Sequence, residues 1–412
     1  MARPWRTVAL LATLNVVCFV DRQVIFVLFE PLKRDLGLND ASLGLLGGLG
    51  FSLVFAVAAL PLGRLADVWN RKLLITLGLV AWSGMTAVSG LAQSFRQLFV
   101  MRMGVGIGEA SLGPAALSII SDLFPPNRRG MAQSIFAAGM PIGAGLGLFI
   151  GAFVAARFGW RAALVTLGVL GLVLALLVLR LREPPKAADA ALPTVAASGS
   201  GAALRRVFGI RPLRYLVLGM AFHALGSSGF AAWFPSLLLR YYGLNLRMAG
   251  LLTGITFATA GLIGAPLGGY LSDRLASKRA DGRMLLLTLA LLLCAPLALS
   301  TIFLPSTALT MACYWILVLI SAMSYGPATT AVHDCVPPND RGTAMAIHMA
   351  WLNVFGYALG PLAIGILSDR LHGLRGAMCL SPAAVLVGAA LLHLGSRSIV
   401  PAGVSAAQSP TY

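Results

Sequence analysis

Four charged residues stand where chemistry in an apolar setting would need them. Asp21 and Arg22 are adjacent inside a stretch from about Thr7 to Phe29, and Arg102 and Glu109 lie seven residues apart in another. A charge at membrane depth costs roughly 2.5 kcal/mol or more, so one that is kept there marks a water-lined path, a partner, or both. Seven residues make about two helical turns, which puts Arg102 and Glu109 on one face. Counting about 1.5 Å per residue, Asp21 lies roughly 21 Å from one membrane face and Arg102, entering from the other side, roughly 8 Å down. In a core about 30 Å thick those depths agree. The spacing therefore predicts an Asp21–Arg102 pair, with Glu109 within reach of Arg22. Desolvation and a neighbouring arginine pull a carboxyl group's protonation in opposite senses, so a carboxyl that changes partners can take up and release a proton. One proton moved through 100 mV yields about 2.3 kcal/mol, enough to drive a solute. The alternative is a static network that only ties two helices together.

Apolar elements must hold these charges, and the chain is made of them. Of its 412 residues 58% are hydrophobic and 11% charged, against about 25% charged in a soluble domain. Apolar runs of about 20 residues, the length a helix needs to cross a bilayer, recur twelve times. They lie near residues 7–29, 41–63, 73–92, 97–121, 131–155, 161–180, 213–239, 248–271, 284–303, 307–332, 343–367 and 376–395. Continuous runs predict helices; barrel strands would be shorter and alternate. The expected fold class is an all-α membrane protein with twelve transmembrane helices. The net charge of +17 is scattered over short connections, with no basic stripe interleaved with aromatics, which argues against a nucleic-acid partner. With both termini placed in the cytoplasm, 20 Lys and Arg fall on that side and nine on the other, as the positive-inside rule requires. The first segment is too long and too early-charged for a cleaved signal peptide and is read as a permanent helix. Cys18, Cys294, Cys313, Cys335 and Cys379 show no paired or metal-ligand spacing, so free thiols and no metal or cofactor are expected. Short loops without an Asn-x-Ser/Thr sequon suit a bacterial inner membrane.

The chain repeats. Asp122 to Gly130 reads DLFPPNRRG and Asp334 to Gly342 reads DCVPPNDRG, six identities in nine at an offset of 212. A second echo joins GRLADVWNRK (Gly63 to Lys72) to GYLSDRLASKR (Gly269 to Arg279). The expected organisation is a six-helix half over residues 1–180, a cytoplasmic linker at 181–212, a second half at 213–396 and a cytoplasmic tail at 397–412. Duplicated halves are a transporter plan, with the substrate near the midplane and alternating access by rocking. Asp67, with Arg71 or Arg129, and Asp273, with Arg341, are the expected cytoplasmic gate, pairing and unpairing as the halves move. Gly139, Gly143, Gly147 and Gly151 form a ridge for a close neighbouring backbone. The glycines of GVGIGE (Gly104 to Glu109) and GAGLG (Gly143 to Gly147) follow no strand and complete no nucleotide fingerprint, so ATP is not the expected energy source. His223, His348, Trp233, Trp351 and Asn353 are candidate cavity residues. The second half lacks buried carboxylates, and an apolar, aromatic-flanked wall suits an amphiphilic substrate.

These residues resemble the major facilitator superfamily, and within it the Spinster-type lysolipid and sphingolipid transporters. The superfamily likeness covers the whole chain and shows its loop motif at Gly63, Asp67, Arg71 and Lys72 and again at Gly269, Asp273 and Arg274. The narrower likeness lies in Asp21-Arg22, Asn70-Arg71-Lys72, RMGVGIGEAS (Arg102 to Ser111) and PIGAGLG (Pro141 to Gly147). Val68 departs from the loop motif, which commonly carries a basic residue there. The resemblance implies efflux of a lysolipid-like molecule with proton coupling through Asp21, Arg22, Arg102 and Glu109. The expected protein is thus a secondary transporter and not an enzyme: no nucleophile–base pair or facing carboxylates accompany the buried acids. Its expected partners are protons, membrane lipids and the substrate, in a monomer. A proton-coupled multidrug or metabolite exporter is the competing transporter reading, and an intramembrane lipid-processing enzyme the reading from another class.

Overall fold

The computed structural model describes residues 2–181, 183 and 206–398. Most of the expected linker and tail therefore lies outside the described residues. Every regular element among them is helical, and there is no strand. In chain order the first elements are α1 (Ala2–Val27), α2 (Phe29–Leu36), α3 (Asp40–Gly47), α4 (Leu49–Val68), α5 (Arg71–Ser89), α6 (Phe95–Glu109), α7 (Leu112–Leu123) and α8 (Pro126–Val178). Then come α9 (Arg211–Tyr241), α10 (Leu246–Ala276), α11 (Gly282–Phe303), α12 (Thr307–Ala322), α13 (Tyr325–Asp334) and α14 (Arg341–Trp351). A π-helical turn, Leu352–Ala358, leads into α15 (Leu359–Leu371), and α16 (Leu374–Met378) and α17 (Leu380–Arg397) complete the series.

Eleven helical segments of the described chain are long and apolar enough to cross a membrane. One of them, Pro126–Val178, has 53 residues, about twice what a 30 Å core needs. It breaks at Gly159, whose φ of 86° and ψ of 163° are open to glycine and strained for other residues. Local chemistry sets several other ends. Asn39, Asn70, Ser94 and Ser306 cap α3, α5, α6 and α12 by accepting a main-chain N–H three residues on, which satisfies a donor the helix cannot. Large apolar side chains such as Leu60 and Leu176 are exposed on the spans, as lipid-facing surfaces should be.

Packing groups the chain into two compact units. One comprises the described parts of Met1–Leu192 with Ala231–Thr259 and Pro361–Leu374; the other comprises those of Pro193–Phe230, Ala260–Gly360 and Arg375–Tyr412. In the first, the glycine ridge of α8 has its neighbour: Gly139 meets Ala12 and Asn15, Gly143 meets Val16 and Phe19, Gly147 meets Val20, and Gly151 meets Val24. Contacts one turn apart on both helices lay α1 along α8 without intervening side chains. Asn15 Nδ2 adds a hydrogen bond of 2.8 Å to the Phe136 carbonyl. The glycines before Glu109 act in the same way, Gly106 against the Phe51 backbone and Gly108 against Gly78 and Trp82. They are surfaces for α4 and α5 and leave no phosphate cradle.

Candidate functional site

Close packing of α1, α4, α5 and α6 brings all four expected charges together. Asp21, Arg102 and Glu109 are buried to 2% exposure or less. Arg22 is held to Glu109 by Nη2–Oε2 and Nε–Oε2 contacts of 2.9 and 3.2 Å. The Cys18 thiol donates to the same oxygen at 3.3 Å. The Arg22 guanidinium also stands 4.6 to 4.8 Å from the ring centres of Phe19, Phe51 and Phe55, a cation–π box that holds the charge where water is scarce. The expected Arg22–Glu109 pair is present in this geometry.

The expected Asp21–Arg102 pair is not. Arg102 Nη1 donates to the main-chain carbonyl of Asp21 at 3.0 Å, while no cation engages the Asp21 carboxyl oxygens, which face the Trp82 indole. Arg102 Nε and Nη2 and Glu109 Oε1 are buried without a hydrogen bond. The two residues do meet, but at the main chain. A helical carbonyl keeps a second lone pair, and the guanidinium uses it, so depth alone does not select the carboxyl group.

The site thus holds two acids of different standing. Glu109 is committed to a cation; Asp21 is buried beside one without engaging it. An unpaired buried polar group costs about 1–3 kcal/mol, and more when it is charged.

The family model of the Major Facilitator Superfamily matches residues 11–361. The chain belongs to this superfamily. It is a multi-pass integral membrane protein of a transporter family, not of an enzyme family. An MFS-type efflux pump of Mycolicibacterium smegmatis is 32% identical over 96% of this chain and 91% of its own. A sphingosine-1-phosphate transporter of Danio rerio is 27% identical over 87% of this chain and 75% of its own. The crystal structure of a bacterial homologue of the human lysosomal transporter Spinster, in an inward-facing and unoccupied conformation, superposes with a TM-score of 0.86 at 25% identity, covering 97% of this chain and 98% of that one.

In this superfamily member the repeated loops hold further ion pairs. Arg71 is buried and binds Asp122 and Glu183, and it donates to Ser118 as well. Arg129 donates to the Ser121 carbonyl, and Asp67 is exposed. Asp273 pairs with Arg283 at 3.2 Å, not with Arg341, because Arg283 at the start of α11 is the nearer cation. Arg283 also binds Asp334 at 2.5 Å. Arg71–Asp122 and Arg283–Asp334 are each 51 residues apart and related by the offset of 212. The signal was in view, since Asp122 and Asp334 open the repeated loops.

A further cluster in the first unit had no sequence signal. Arg240, near the end of α9, makes two 2.7 Å hydrogen bonds to Asp40 and another to Glu30. Lys33 and Ser368 add contacts of 2.6 Å to Asp40. Asp369 accepts from the main-chain N–H groups of Asp40 and Ala41 at 3.0 and 2.8 Å, which caps the start of α3.

The remaining candidates divide. Trp233 is packed against Phe29 at 4.9 Å and donates to the Pro361 carbonyl at 2.9 Å. Its role there is packing, because its one polar atom is engaged. His348 is buried with Nδ1 unengaged. Asn353 donates back to Met349 at 2.8 Å. Trp351 lines an apolar pocket of about 190 Å³ with Val217 and Ile347, and His223 bonds Ser321 at 3.2 Å.

Proposed function

We propose that this protein is a proton-coupled secondary transporter that exports a lysolipid-like or other amphiphilic small molecule by alternating access. The observation that carries the reading is Asp21, a fully buried carboxyl that no cation engages, beside an arginine with two unengaged nitrogens. A static network would be expected to close its pairs, since an open one in a low-dielectric interior is costly. A group that must exchange a proton for an arginine needs both states within reach. The proposed layout is two six-helix repeats, residues 1–180 and 213–396, with both termini cytoplasmic, in the inner membrane of a bacterium and as a monomer. The two arms of Pro126–Val178 would then count as separate spans, giving twelve. Arg71–Asp122 and Arg283–Asp334 would brace the cytoplasmic ends, and the Arg240 cluster the outer end. Similarity to a sphingosine-1-phosphate transporter supports the lipid-like cargo.

The test is uptake of radiolabelled lysophosphatidylcholine by vesicles containing the purified protein, with and without a pH gradient. Gradient-driven flux lost in Asp21→Asn, with expression and thermal stability kept, is the expected result. Flux indifferent to the gradient would refute the coupling. A second reading, a multidrug exporter with the same coupling, is favoured by the similarity to an efflux pump at 32% identity. Transport of cationic drugs but not lysolipids would select it.

A further inference from the structure

The second unit carries its polar groups differently from the first. Between Tyr215 and Phe230, Ala260 and Leu271, Met284 and Phe303, Thr307 and His333, Gly342 and Gly360, and Gly376 and Ser396, it has no Asp, Glu, Lys or Arg. Uncharged polar groups instead gather at one place. His223 of α9 is 1% exposed, with Nε2 3.2 Å from Ser321 Oγ at the end of α12. Its ring centre lies 6.4 Å from that of Tyr325. The Tyr325 hydroxyl joins the hydroxyls of Ser321, Ser227 and Tyr357 by hydrogen bonding.

Tyr357 reaches this cluster from the π-helical turn Leu352–Ala358. Such turns are rare and concentrate at functional sites, because the extra residue breaks helical regularity and re-aims side chains. Here the turn is held against α9: Gly356 packs on Ala224, and Ser228 Oγ donates to the Gly356 carbonyl at 3.3 Å. Phe355 stands on Phe222 at 5.4 Å and on Trp351 at 5.8 Å, adding an aromatic face along the same stretch.

Two features separate the cluster from a structural plug. His223 Nδ1 is buried and has no hydrogen bond among the described residues, although buried polar atoms are normally paired. Ser227, Ser321, Tyr325 and Tyr357 are only half-buried, so the cluster is not sealed. We infer that His223, Ser321, Tyr325, Ser227 and Tyr357 form a subsite for an uncharged hydroxyl group of the transported molecule. The inference rests on the transport reading only in making the ligand cargo. An ion would meet no countercharge on these spans and would lose its hydration. A hydroxyl both donates and accepts, so it matches His223 Nδ1 in either tautomer and a tyrosine hydroxyl beside it. The aromatic face suits the carbon skeleton that bears it.

The test compares ligands that differ in a single hydroxyl, binding to the full-length protein in lipid nanodiscs. The first pair is 1-palmitoyl-lysophosphatidylcholine and its 2-deoxy analogue; the second is octyl β-glucoside and its 2-deoxy analogue. The wild type should prefer the hydroxylated member of at least one pair by about tenfold, the effect of one good hydrogen bond. Tyr325→Phe and Ser321→Ala should cut that preference to near unity while leaving affinity for the deoxy compound unchanged. No preference in either pair for the wild type overturns the subsite, whatever the variants do. Equal losses for both members in folded variants overturn it as well. Preference within the glucoside pair, with neither lysolipid bound, keeps the subsite and refutes the lysolipid cargo.

Discussion

Arg102 hydrogen-bonds the main-chain carbonyl of Asp21 and leaves the Asp21 carboxyl group without a cation. Seven residues along α6, Glu109 holds Arg22 in a closed pair. The two acids therefore answer differently to the loss of their charge. Glu109→Gln should lower stability by about 3 kcal/mol, the lower end of the range for breaking a buried pair because Arg22 is partly exposed. Asp21→Asn, in a position with no ion pair to lose and with an amide oxygen still able to face the Trp82 indole, should change it by less than about 1 kcal/mol. Thermal unfolding of both variants in one detergent checks this, and equal losses would mean that Asp21 is held after all.

The related pairs at the repeated loops should differ in strength. Arg71 is 1% exposed and Asp122 11%, whereas Asp334 is 51% exposed and Asp273 76%. Arg71→Gln should cost about 3 kcal/mol, and Arg283→Gln about 1 kcal/mol or less. Added salt should weaken the second pair and spare the first. Denaturation at low and high salt measures both effects, and the reverse order would contradict the burial argument.

Arg240→Gln would leave Glu30 facing a neutral side chain and reduce the cations on buried Asp40 to Lys33. The segment around α3 should then open more often. A cysteine placed at buried Leu43 is the reporter, labelled with a water-soluble maleimide. Its rate should rise about tenfold, which corresponds to only about 1.4 kcal/mol of shifted equilibrium. An unchanged rate would restrict the cluster to static packing.

Asp35 supplies a pH dependence outside the spans. Arg161 at 2.6 Å and the Trp160 indole at 3.1 Å donate to its carboxylate and hold its pKa below the usual value. A lowered carboxyl pKa stabilises the fold above the unfolded value, about 3.9. That contribution is lost as pH falls through the lower, folded value. Asp35→Asn should therefore be less stable than the wild type from pH 5 to 8, by an amount that does not vary there. The two melting curves should converge only on further acidification below about pH 4. A gap that changes between pH 5 and 8 would point to another group.

Much of this protein is legible without coordinates. Hydrophobic run length determines helices that span a bilayer, since no other continuous element satisfies its main-chain groups in lipid. The offset of 212 between DLFPPNRRG and DCVPPNDRG discloses the internal duplication. The depth of Asp21, Arg22, Arg102 and Glu109 follows from a rise of about 1.5 Å per residue, and the glycine ridge announces a close neighbour. Which neighbour it has, and which partner each charge takes, only the tertiary structure decides. Periodicity reports height and face but neither side-chain rotamer nor lateral contact, so Arg102 meets a carbonyl, Asp273 meets Arg283, and α1 is what lies on the ridge. Asp40 and Asp369 are 329 residues apart, and nothing local in the chain could have joined them.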